Sequence, residues 1–385
     1  MTNSAYGIAA NSNHLCTVKV TVDDKQFDME VARVEASDSV ETTETDRPVL
    51  HFTGSVKEAE PMDESTSASS VWTEPIDKFF DRCKNMEFDV GFECPEHLKN
   101  KIPGEDVLRT YFPTESFRKS LLNVYFRIKK IQERMQKPEL SSNEVIGKPI
   151  NQKFIGKPGT GKSAMITAMA ACLRLPLGII PCQKNMEEDG IEGLNKYING
   201  QIWSVPTECG QIFDKGGIIL LEEFNLPDPA VLQGALGQAL EAPYIFNLYG
   251  VQQMKRHPLT IFIGTMNENE TNGTRDLNQA FSSRFPESVY LDNSPDEEFI
   301  NILAKAGYKK MHCRNVFKKY KQILNYLSQY NEDLVQNITM RHCYAALEDM
   351  DIGMSLEDAC DRTFIGELKS IDRQTAEDIR SVLFK

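Results

Sequence analysis

A glycine-rich stretch that joins an apolar run to a helix-forming run carries the clearest chemical signal in this sequence. Residues 156–163, GKPGTGKS, match the phosphate-loop pattern G-x-x-x-x-G-K-[ST]. Glycines in such a loop let backbone N–H groups turn inward and approach phosphate oxygens, which a side chain would obstruct. Lys162 would then reach the β- and γ-phosphates, and Ser163 would offer its hydroxyl to Mg²⁺. The predicted nucleotide-binding residues are Gly156, Lys157, Pro158, Gly159, Thr160, Gly161, Lys162, Ser163 and Ala164.

Two adjacent carboxylates at the end of another apolar run could supply metal binding and acid–base chemistry. Residues 217–221 are continuously apolar, which predicts a strand buried on both faces of a parallel sheet. The run delivers Glu222 and Glu223 to the carboxyl edge, where open α/β sheets bind ligands. Glu222 would complete the Mg²⁺ shell, and Glu223 would orient or deprotonate the attacking water.

A third apolar run ends in an amide and is followed by two arginines. Residues 259–264 predict a neighbouring strand, and Asn267 beyond it could hydrogen-bond both the γ-phosphate and the lytic water. Arg275 and Arg284 are both candidates for an arginine that stabilises the transition state.

The remaining patterns of the C-terminal two thirds predict an α/β domain followed by a helical one. Further strands are expected at residues 154–155, 177–181 and 289–291. Every segment after residue 293 has helical character, and the predicted helices are 295–305, 314–330, 339–350, 355–368 and 373–383. We therefore predict a nucleotide-binding α/β domain over residues 149–293 and a small all-helical lid over residues 294–385.

The N-terminal part divides into three segments of different composition. Alternating apolar residues predict a β-hairpin within residues 1–34. Residues 35–74 are rich in Ser, Thr, Asp and Glu, which predicts an acidic disordered linker. Residues 75–148 are predicted to form a helical extension, because apolar residues recur at helical spacing from Phe117 to Met135, with Thr114 as the expected start.

Composition argues against several classes of protein. The formal net charge of −13 disfavours a general binder of nucleic acid or of anionic membranes, since both need a basic surface. No apolar run approaches the ~20 residues of a membrane helix, and the N-terminal residues lack the basic and apolar regions of a signal peptide. These features predict a cytoplasmic protein.

The cysteines and histidines lack metal-binding spacings. The nine cysteines are scattered without a C-x-x-C pair, and the six histidines form no H-E-x-x-H pattern. We therefore expect free buried thiols and no structural metal.

Taken in order, these motifs resemble those of the AAA+ ATPases. The most similar group contains MoxR-type chaperones, CbbQ/NorQ activators, gas-vesicle GvpN proteins, chelatase subunits and midasin-like, dynein-related modules. The resemblance spans about residues 149–368 and rests on the segments GKPGTGKS, GGIILLEEFNLPDPAVLQGAL, HPLTIFIGTMN, GTRDLNQAFSSRF and ITMRHCYAAL. It implies a parallel-sheet P-loop domain with a helical lid.

The resemblance also implies a role for each candidate residue. Lys162 and Ser163 correspond to the Walker A pair, Glu222 and Glu223 to the Walker B pair, and Asn267 to sensor 1. Arg284 corresponds to the arginine finger, which acts on the neighbouring subunit's nucleotide, and Arg275 is the second finger candidate. Arg341 corresponds to sensor 2, which reaches from the lid toward the γ-phosphate.

The resemblance further implies a ring, commonly a hexamer, that hydrolyses ATP with Mg²⁺ and remodels or activates a client protein. Proteins of this group often work beside a von Willebrand A-domain protein, so a partner of that class is expected. Residues 187–203 and 243–257 correspond to loops that usually face the pore or substrate.

Two departures from the group's pattern keep alternatives open. Glu222 stands where most members have Asp, which favours a scaffold ring that binds ATP and hydrolyses it weakly. The segment GTMNENETNGT is similar to GTP-driven McrB-type nucleic-acid motors, although it lacks their MNTxDRS run. No NKxD signature for guanine is present and the net charge is acidic, so ATP is preferred over GTP and a nucleic-acid motor is disfavoured.

Overall fold

The computed structural model describes residues 16–22, 25–31, 57–58, 71–198, 201–248, 252–267, 279–291 and 295–383. The chain forms two compact units, Met1–Thr73 and Glu74–Lys385. Among the described residues, no helix combines the length and apolar character needed to cross a membrane. The cytoplasmic location stays a prediction.

The first unit contains a small antiparallel sheet. Strands β1 (Cys16–Val22) and β2 (Lys25–Val31) pair along their whole length, which confirms the predicted hairpin strands. A short strand β3 (Lys57–Glu58) pairs with the other edge of β2. β3 lies within the segment predicted to be a disordered linker, where pairing with the β2 backbone orders two residues. The predicted linker residues 35–56 and 59–70 lie outside the described part of the chain.

The second unit begins with the predicted helical extension. Its helices are α1 (Ile76–Lys84), α2 (Asp106–Thr110), α3 (Glu115–Met135) and α4 (Ser142–Ile146), with a 3₁₀ turn at Glu96–Lys101. The Thr114 hydroxyl accepts a hydrogen bond from the backbone N–H of Phe117 at 3.2 Å, which caps α3 where the sequence predicted its start. The apolar stripe of α3 is buried from Phe117 to Ile131, whereas Met135 at the end of the helix is exposed.

Alternating strands and helices follow the extension. They are β4 (Asn151–Gly156), α5 (Lys162–Leu173), β5 (Leu177–Pro181), α6 (Asp189–Glu192), β6 (Gly193–Ile198), β7 (Gln201–Pro206), α7 (Glu208–Phe213), β8 (Gly217–Glu222), α8 (Pro229–Leu240), β9 (Ile245–Leu248), β10 (Gln252–Lys255), β11 (Thr260–Met266), α9 (Gln279–Ser282) and β12 (Glu287–Leu291). Five of these strands form a parallel sheet in the order β12-β4-β11-β8-β5. The predicted α/β class and all five predicted strands are thereby confirmed.

The sheet order explains why the apolar runs are continuous. β8 and β11 lie inside the sheet, and every residue of β11 is buried. Strands covered on both faces need apolar side chains at successive positions rather than in alternation. The order also brings the carboxyl ends of β4, β11 and β8 side by side.

Two antiparallel hairpins interrupt the α/β pattern. β6 pairs with β7, and β9 pairs with β10. They fall in the two segments that the resemblance assigned to pore-facing or substrate-facing loops. Tyr197 on β6 is 77% exposed, so this hairpin carries an aromatic ring into solvent.

The last described segment is entirely helical, as predicted. It contains α10 (Asp296–Lys305), α11 (Lys310–Tyr330), a 3₁₀ turn (Glu332–Asn337), α12 (Met340–Asp351), α13 (Leu356–Cys360), a π turn (Asp361–Ile365), α14 (Gly366–Ile371) and α15 (Arg373–Leu383). These helices share one hydrophobic core that includes Phe299, Ile323 and Phe364. We refer to residues 295–383 as the lid. The boundaries near residues 149 and 294 stay predictions.

The extension docks against the sheet by polar contacts as well as apolar ones. The Arg127 guanidinium on α3 donates to the Glu287 carboxylate on β12 and, at 2.9 Å, to the carbonyl of Pro149. The Gln132 amide donates to the carbonyl of Val90 at 2.7 Å. The bond to Pro149 holds the segment that precedes β4, whereas the Gln132 bond joins two parts of the extension itself.

Candidate nucleotide-binding site

The phosphate loop connects β4 to α5, as the motif requires. Gly159 and Gly161 have φ angles of 82° and 83°, in the left-handed region that glycine adopts without a steric penalty. The helix α5 begins at Lys162, directly after Gly161. The strand–loop–helix context predicted from the sequence is therefore present.

The Lys162 ammonium occupies the centre of the loop. Its Nζ donates hydrogen bonds to the carbonyls of Gly156 at 2.7 Å and Lys157 at 3.0 Å. It also donates to Oδ1 of Asn267 at 3.0 Å, which brings the predicted Walker A lysine and sensor 1 together. Lys162 is buried, so this cation is held in place by acceptors before any phosphate arrives.

Ser163 and Glu222 converge as the predicted metal ligands should. The Ser163 hydroxyl donates to Oε1 of Glu222 at 2.5 Å. A hydroxyl and a carboxylate are hard oxygen donors, the class that Mg²⁺ prefers, and Mg²⁺ usually keeps several waters and phosphate oxygens as its other ligands. The donor set therefore fits Mg²⁺ bound together with a nucleotide. The added methylene of Glu222, relative to Asp, does not prevent the approach to Ser163.

Glu223 follows β8 in an unusual backbone conformation. Its φ angle is 54°, which is uncommon for a residue with a side chain. The residue is exposed, and its carboxylate makes no hydrogen bond or ion pair with any residue that the structure describes. Glu223 is thus available to accept a proton from water, as a general base must be.

A buried thiol lies beside this pair of carboxylates. The backbone N–H of Cys182, which follows β5, donates to the carbonyl of Glu222 at 2.9 Å. Burial raises the pKa of the Cys182 thiol to about 12, and the charges of Glu222 and Glu223 add to the shift. The thiol is therefore neutral at physiological pH and contributes no thiolate to the site. The eight cysteines from Cys83 to Cys360 are free, as the sequence predicted, and all of them except the half-buried Cys94 are buried.

A cavity of about 1050 Å³ adjoins the phosphate loop. The phosphate loop, the connection between α2 and α3, and the lid line it, together with residues of α5 and the end of β12. Tyr111 and Phe112 belong to the second of these parts and Tyr344 to the third. The volume suffices for a nucleotide, because ligand pockets typically measure about 300–1,000 Å³. Tyr111 and Phe112 belong to no recognisable sequence motif, and their part in the site follows only from the packing of the extension.

The lid approaches the phosphate loop at one glycine. A Cβ atom added to Gly159 would lie 3.1 Å from Cβ of Thr339 and 3.5 Å from the backbone N of Met340. Both residues stand at the start of α12, so the positive end of this helix faces the loop. Arg341, the predicted sensor 2, is the next residue; it is exposed and has no hydrogen bond or ion pair to the described residues.

The comparison with known protein families agrees with this geometry. Residues 153–285 match the family model described as AAA domain (dynein-related subfamily). These residues form an AAA domain. No curated protein matches the sequence. Among solved structures, a RuvB Holliday junction branch migration motor from Thermotoga maritima is similar at 13% identity, with a TM-score of 0.38 and coverage of 70% of each chain. The family assignment supports an ATP-dependent activity, and AAA domains commonly assemble into oligomeric rings.

The predicted finger of the AAA domain is engaged within its own chain. The Arg284 guanidinium donates to Oε1 of Gln233 and to the carbonyl of Ala280, both at 2.8 Å. It also forms an ion pair with Glu241, at the end of α8. Its role as a finger stays a prediction. The other candidate, Arg275, lies outside the described residues.

Proposed function

We propose that this protein is a Mg²⁺-dependent ATPase that hydrolyses ATP at the subunit interfaces of a ring, with six subunits as the number that the family resemblance implies. One observation carries the proposal: Lys162, Asn267, Ser163 and Glu222 converge beside a nucleotide-sized cavity. A phosphate loop without the carboxylates would support binding alone. The added carboxylates and amide supply what transfer of a phosphoryl group to water requires.

Each residue of the site has its own chemical role in the proposed hydrolysis. Lys162 places a positive charge where the β- and γ-phosphates bind, and its present acceptors hold it in that position. The Asn267 amide orients the γ-phosphate and the attacking water, and Glu223 accepts the proton from that water. Ser163 and Glu222 would hold Mg²⁺, which neutralises charge on the phosphate oxygens when it is bound.

The work done by hydrolysis is proposed from family resemblance. Proteins of the MoxR-like group use lid motion to remodel or activate a partner, and the close approach of α12 to Gly159 gives the lid a direct contact with the phosphate loop. A client protein, with a von Willebrand A-domain protein as the expected class, would receive that motion. The sequence resemblance assigns the β6–β7 hairpin, where Tyr197 is exposed, to a segment that contacts the client.

The substitution Glu223→Gln tests the hydrolytic role. It keeps the shape of the side chain and removes the proton acceptor, so ATP should bind with unchanged affinity while turnover falls on the order of 10²–10⁴-fold. Glu139→Gln, which removes an exposed carboxylate between α3 and α4, is the charge-matched control and should behave as wild type. Wild-type turnover in Glu223→Gln would rule out Glu223 as the base.

A scaffold ring is the second candidate, and the position of Arg284 favours it. Gln233 and Glu241 of its own chain engage this guanidinium, which must leave them before it can act on a neighbouring nucleotide. A ring that binds ATP and hydrolyses it only after a partner releases Arg284 would show this arrangement. Tight ATP binding with no turnover in the purified wild type would support the scaffold.

A further inference from the structure

A turn follows the Walker B strand β8 and is hydrogen-bonded to the end of the neighbouring strand β11. β8 and β11 are neighbours in the sheet, and residues 223–225 follow β8 where residues 265–267 end β11. The backbone N–H of Glu223 donates to the Thr265 hydroxyl at 3.2 Å. The backbone N–H of Phe224 donates to the Thr265 carbonyl at 3.0 Å. One threonine therefore receives two successive N–H groups of the turn.

This pair of bonds explains how Glu223 keeps its backbone conformation. A non-glycine residue with φ of 54° is disfavoured unless its surroundings hold it there. Thr265 is 2% exposed, so its hydroxyl and carbonyl are fixed acceptors that water does not compete for. Without the Thr265 hydroxyl, the N–H of Glu223 would lose its acceptor, and the turn could relax toward an ordinary conformation.

A third bond ties the same turn to Asn267. The Asn225 amide donates from Nδ2 to the Asn267 carbonyl at 3.3 Å, and Asn225 is 1% exposed. Its Oδ1 is buried and has no hydrogen-bond partner among the described residues, so this bond is what orients the amide. The Asn267 side chain, in turn, accepts from Lys162. The turn therefore reaches sensor 1 and, through it, the phosphate-loop lysine.

We infer that Thr265 and Asn225 form a latch that holds the Glu223 carboxylate in register with the Asn267 amide. Both are positioning residues: neither is required to touch the nucleotide, and both act through the residue that does. The inference rests on the proposed hydrolytic function of the site. Hydrolysis needs the base and the amide on the same water, and reacting groups misplaced by about 1 Å can lower a rate by about 10²-fold. Nucleotide binding relies on the phosphate loop and should depend on the latch far less.

Matched substitutions at Thr265 separate the latch from general packing. Thr265→Val keeps a similar shape and removes the hydroxyl, whereas Thr265→Ser keeps the hydroxyl and removes a methyl group. Thr363→Val in the lid serves as the control. It also removes a threonine hydroxyl, which in this case donates to a backbone carbonyl. Asn225→Ala tests the other half of the latch. ATP turnover, nucleotide affinity and hydrogen exchange at the amides of residues 223 and 224 are measured for each.

We expect Thr265→Val to speed amide exchange at residues 223 and 224 and to lower kcat, each about tenfold or more, the scale of one buried hydrogen bond. Nucleotide affinity should stay within about threefold, since the phosphate loop is unchanged. Thr265→Ser should restore both exchange and kcat, Asn225→Ala should lower kcat with unchanged affinity, and Thr363→Val should change none of these quantities.

Unchanged exchange in Thr265→Val would overturn the latch. Faster exchange with unchanged kcat would overturn its positioning role. A wild-type protein that binds ATP without any turnover would contradict the proposed function instead, and the exchange comparison would still decide whether the latch exists.

Discussion

At the scale of single residues, the site depends on how far each side chain reaches. Glu222 stands where the resembling proteins mostly have Asp, and its Oε1 lies 2.5 Å from the Ser163 hydroxyl. The longer side chain of Glu222 thus contacts Ser163, the other predicted metal ligand, directly. Its charge should matter more than its length, because a water molecule can fill the gap left by one methylene.

Removing the charge of Glu222 should therefore raise the Mg²⁺ requirement. In Glu222→Gln, the Mg²⁺ concentration for half-maximal turnover should rise about tenfold or more, because a carboxylate is replaced by a neutral amide. Glu222→Asp keeps the charge and should stay within about threefold of wild type. Titration of turnover with Mg²⁺ measures both. An unchanged requirement in Glu222→Gln would contradict the assignment of Glu222 as a metal ligand.

Two glycines of the phosphate loop offer a matched pair of substitutions. Gly159 and Gly161 have nearly equal φ angles, so alanine at either position should cost roughly 1–2 kcal/mol in backbone strain. Among the described residues, only at Gly159 would the new methyl group meet the lid, 3.1 Å from Thr339; at Gly161 no described atom outside the neighbouring residues lies within 4 Å. Gly159→Ala should therefore lower the melting temperature more than Gly161→Ala does. Equal melting temperatures would contradict the lid contact.

At the scale of elements, hydrogen bonds of the buried Asn151 join the start of β4 to the end of α8 and to the backbone of Arg284. The Arg256 guanidinium donates to Oδ1 of Asn151 at 2.9 Å and to the carbonyl of Thr260 at 2.7 Å. The Asn151 amide donates to the carbonyls of Leu240 at 3.1 Å and Arg284 at 2.9 Å. Arg256 is 3% exposed, and burial lowers its pKa to about 9. Its charge is stabilised by carbonyl oxygens and by the Phe262 ring, whose centroid is 5.0 Å away.

Arg256→Met should destabilise the AAA domain by about 3–5 kcal/mol, because it removes the buried donor to Oδ1 of Asn151 and to the carbonyl of Thr260. Arg314→Met, at an exposed position of the lid, is the control and should cost less than about 1 kcal/mol. Chemical denaturation measures both. Equal losses in the two variants would show that the buried donors of Arg256 contribute nothing to stability.

The sequence predicts the strands and the lid well, because each depends on local patterns. Continuous apolar runs mark β5, β8 and β11, and the phosphate loop follows β4 as its motif requires. The latch was not predictable, since it depends on which strands are neighbours in the sheet. Thr265 is an unremarkable residue in the sequence, and its role follows from the adjacency of β8 and β11.

Two aromatic residues that line the cavity were likewise not predictable from the sequence. Tyr111 and Phe112 lie far before the phosphate loop in the sequence and in no recognisable motif. They reach the cavity because α3 packs along the sheet and is fixed through Arg127 and Glu287. Long-range packing of this kind leaves no spacing signal.

At the scale of the whole molecule, the proposed ring requires one chain to complete the site of another. Arg284 is held by Glu241 and Gln233 within its own chain, yet an arginine finger must act on a neighbouring nucleotide. Removing a transition-state arginine typically lowers turnover on the order of 10³–10⁵-fold. Arg284→Ala should show a loss of this size with nucleotide affinity unchanged, whereas Arg275→Ala should not.

Mixing two inactive variants tests whether Arg284 acts between subunits. Arg284→Ala keeps an intact Glu223, and Glu223→Gln keeps an intact Arg284, so a mixed ring would pair a sound base with a sound finger. Turnover should therefore reappear on mixing, although each variant alone is inactive. A mixture that stays inactive would contradict action between subunits. It would assign Arg284 a role within its own chain, where it bonds Glu241 and Gln233.

The most direct test of the central claim is ATP turnover per chain across a concentration series of the purified protein, with and without Mg²⁺. A site completed by a neighbouring subunit predicts Mg²⁺-dependent turnover that rises with protein concentration and then levels off as rings assemble. Turnover per chain that does not change with concentration, or that persists without Mg²⁺, would contradict the account.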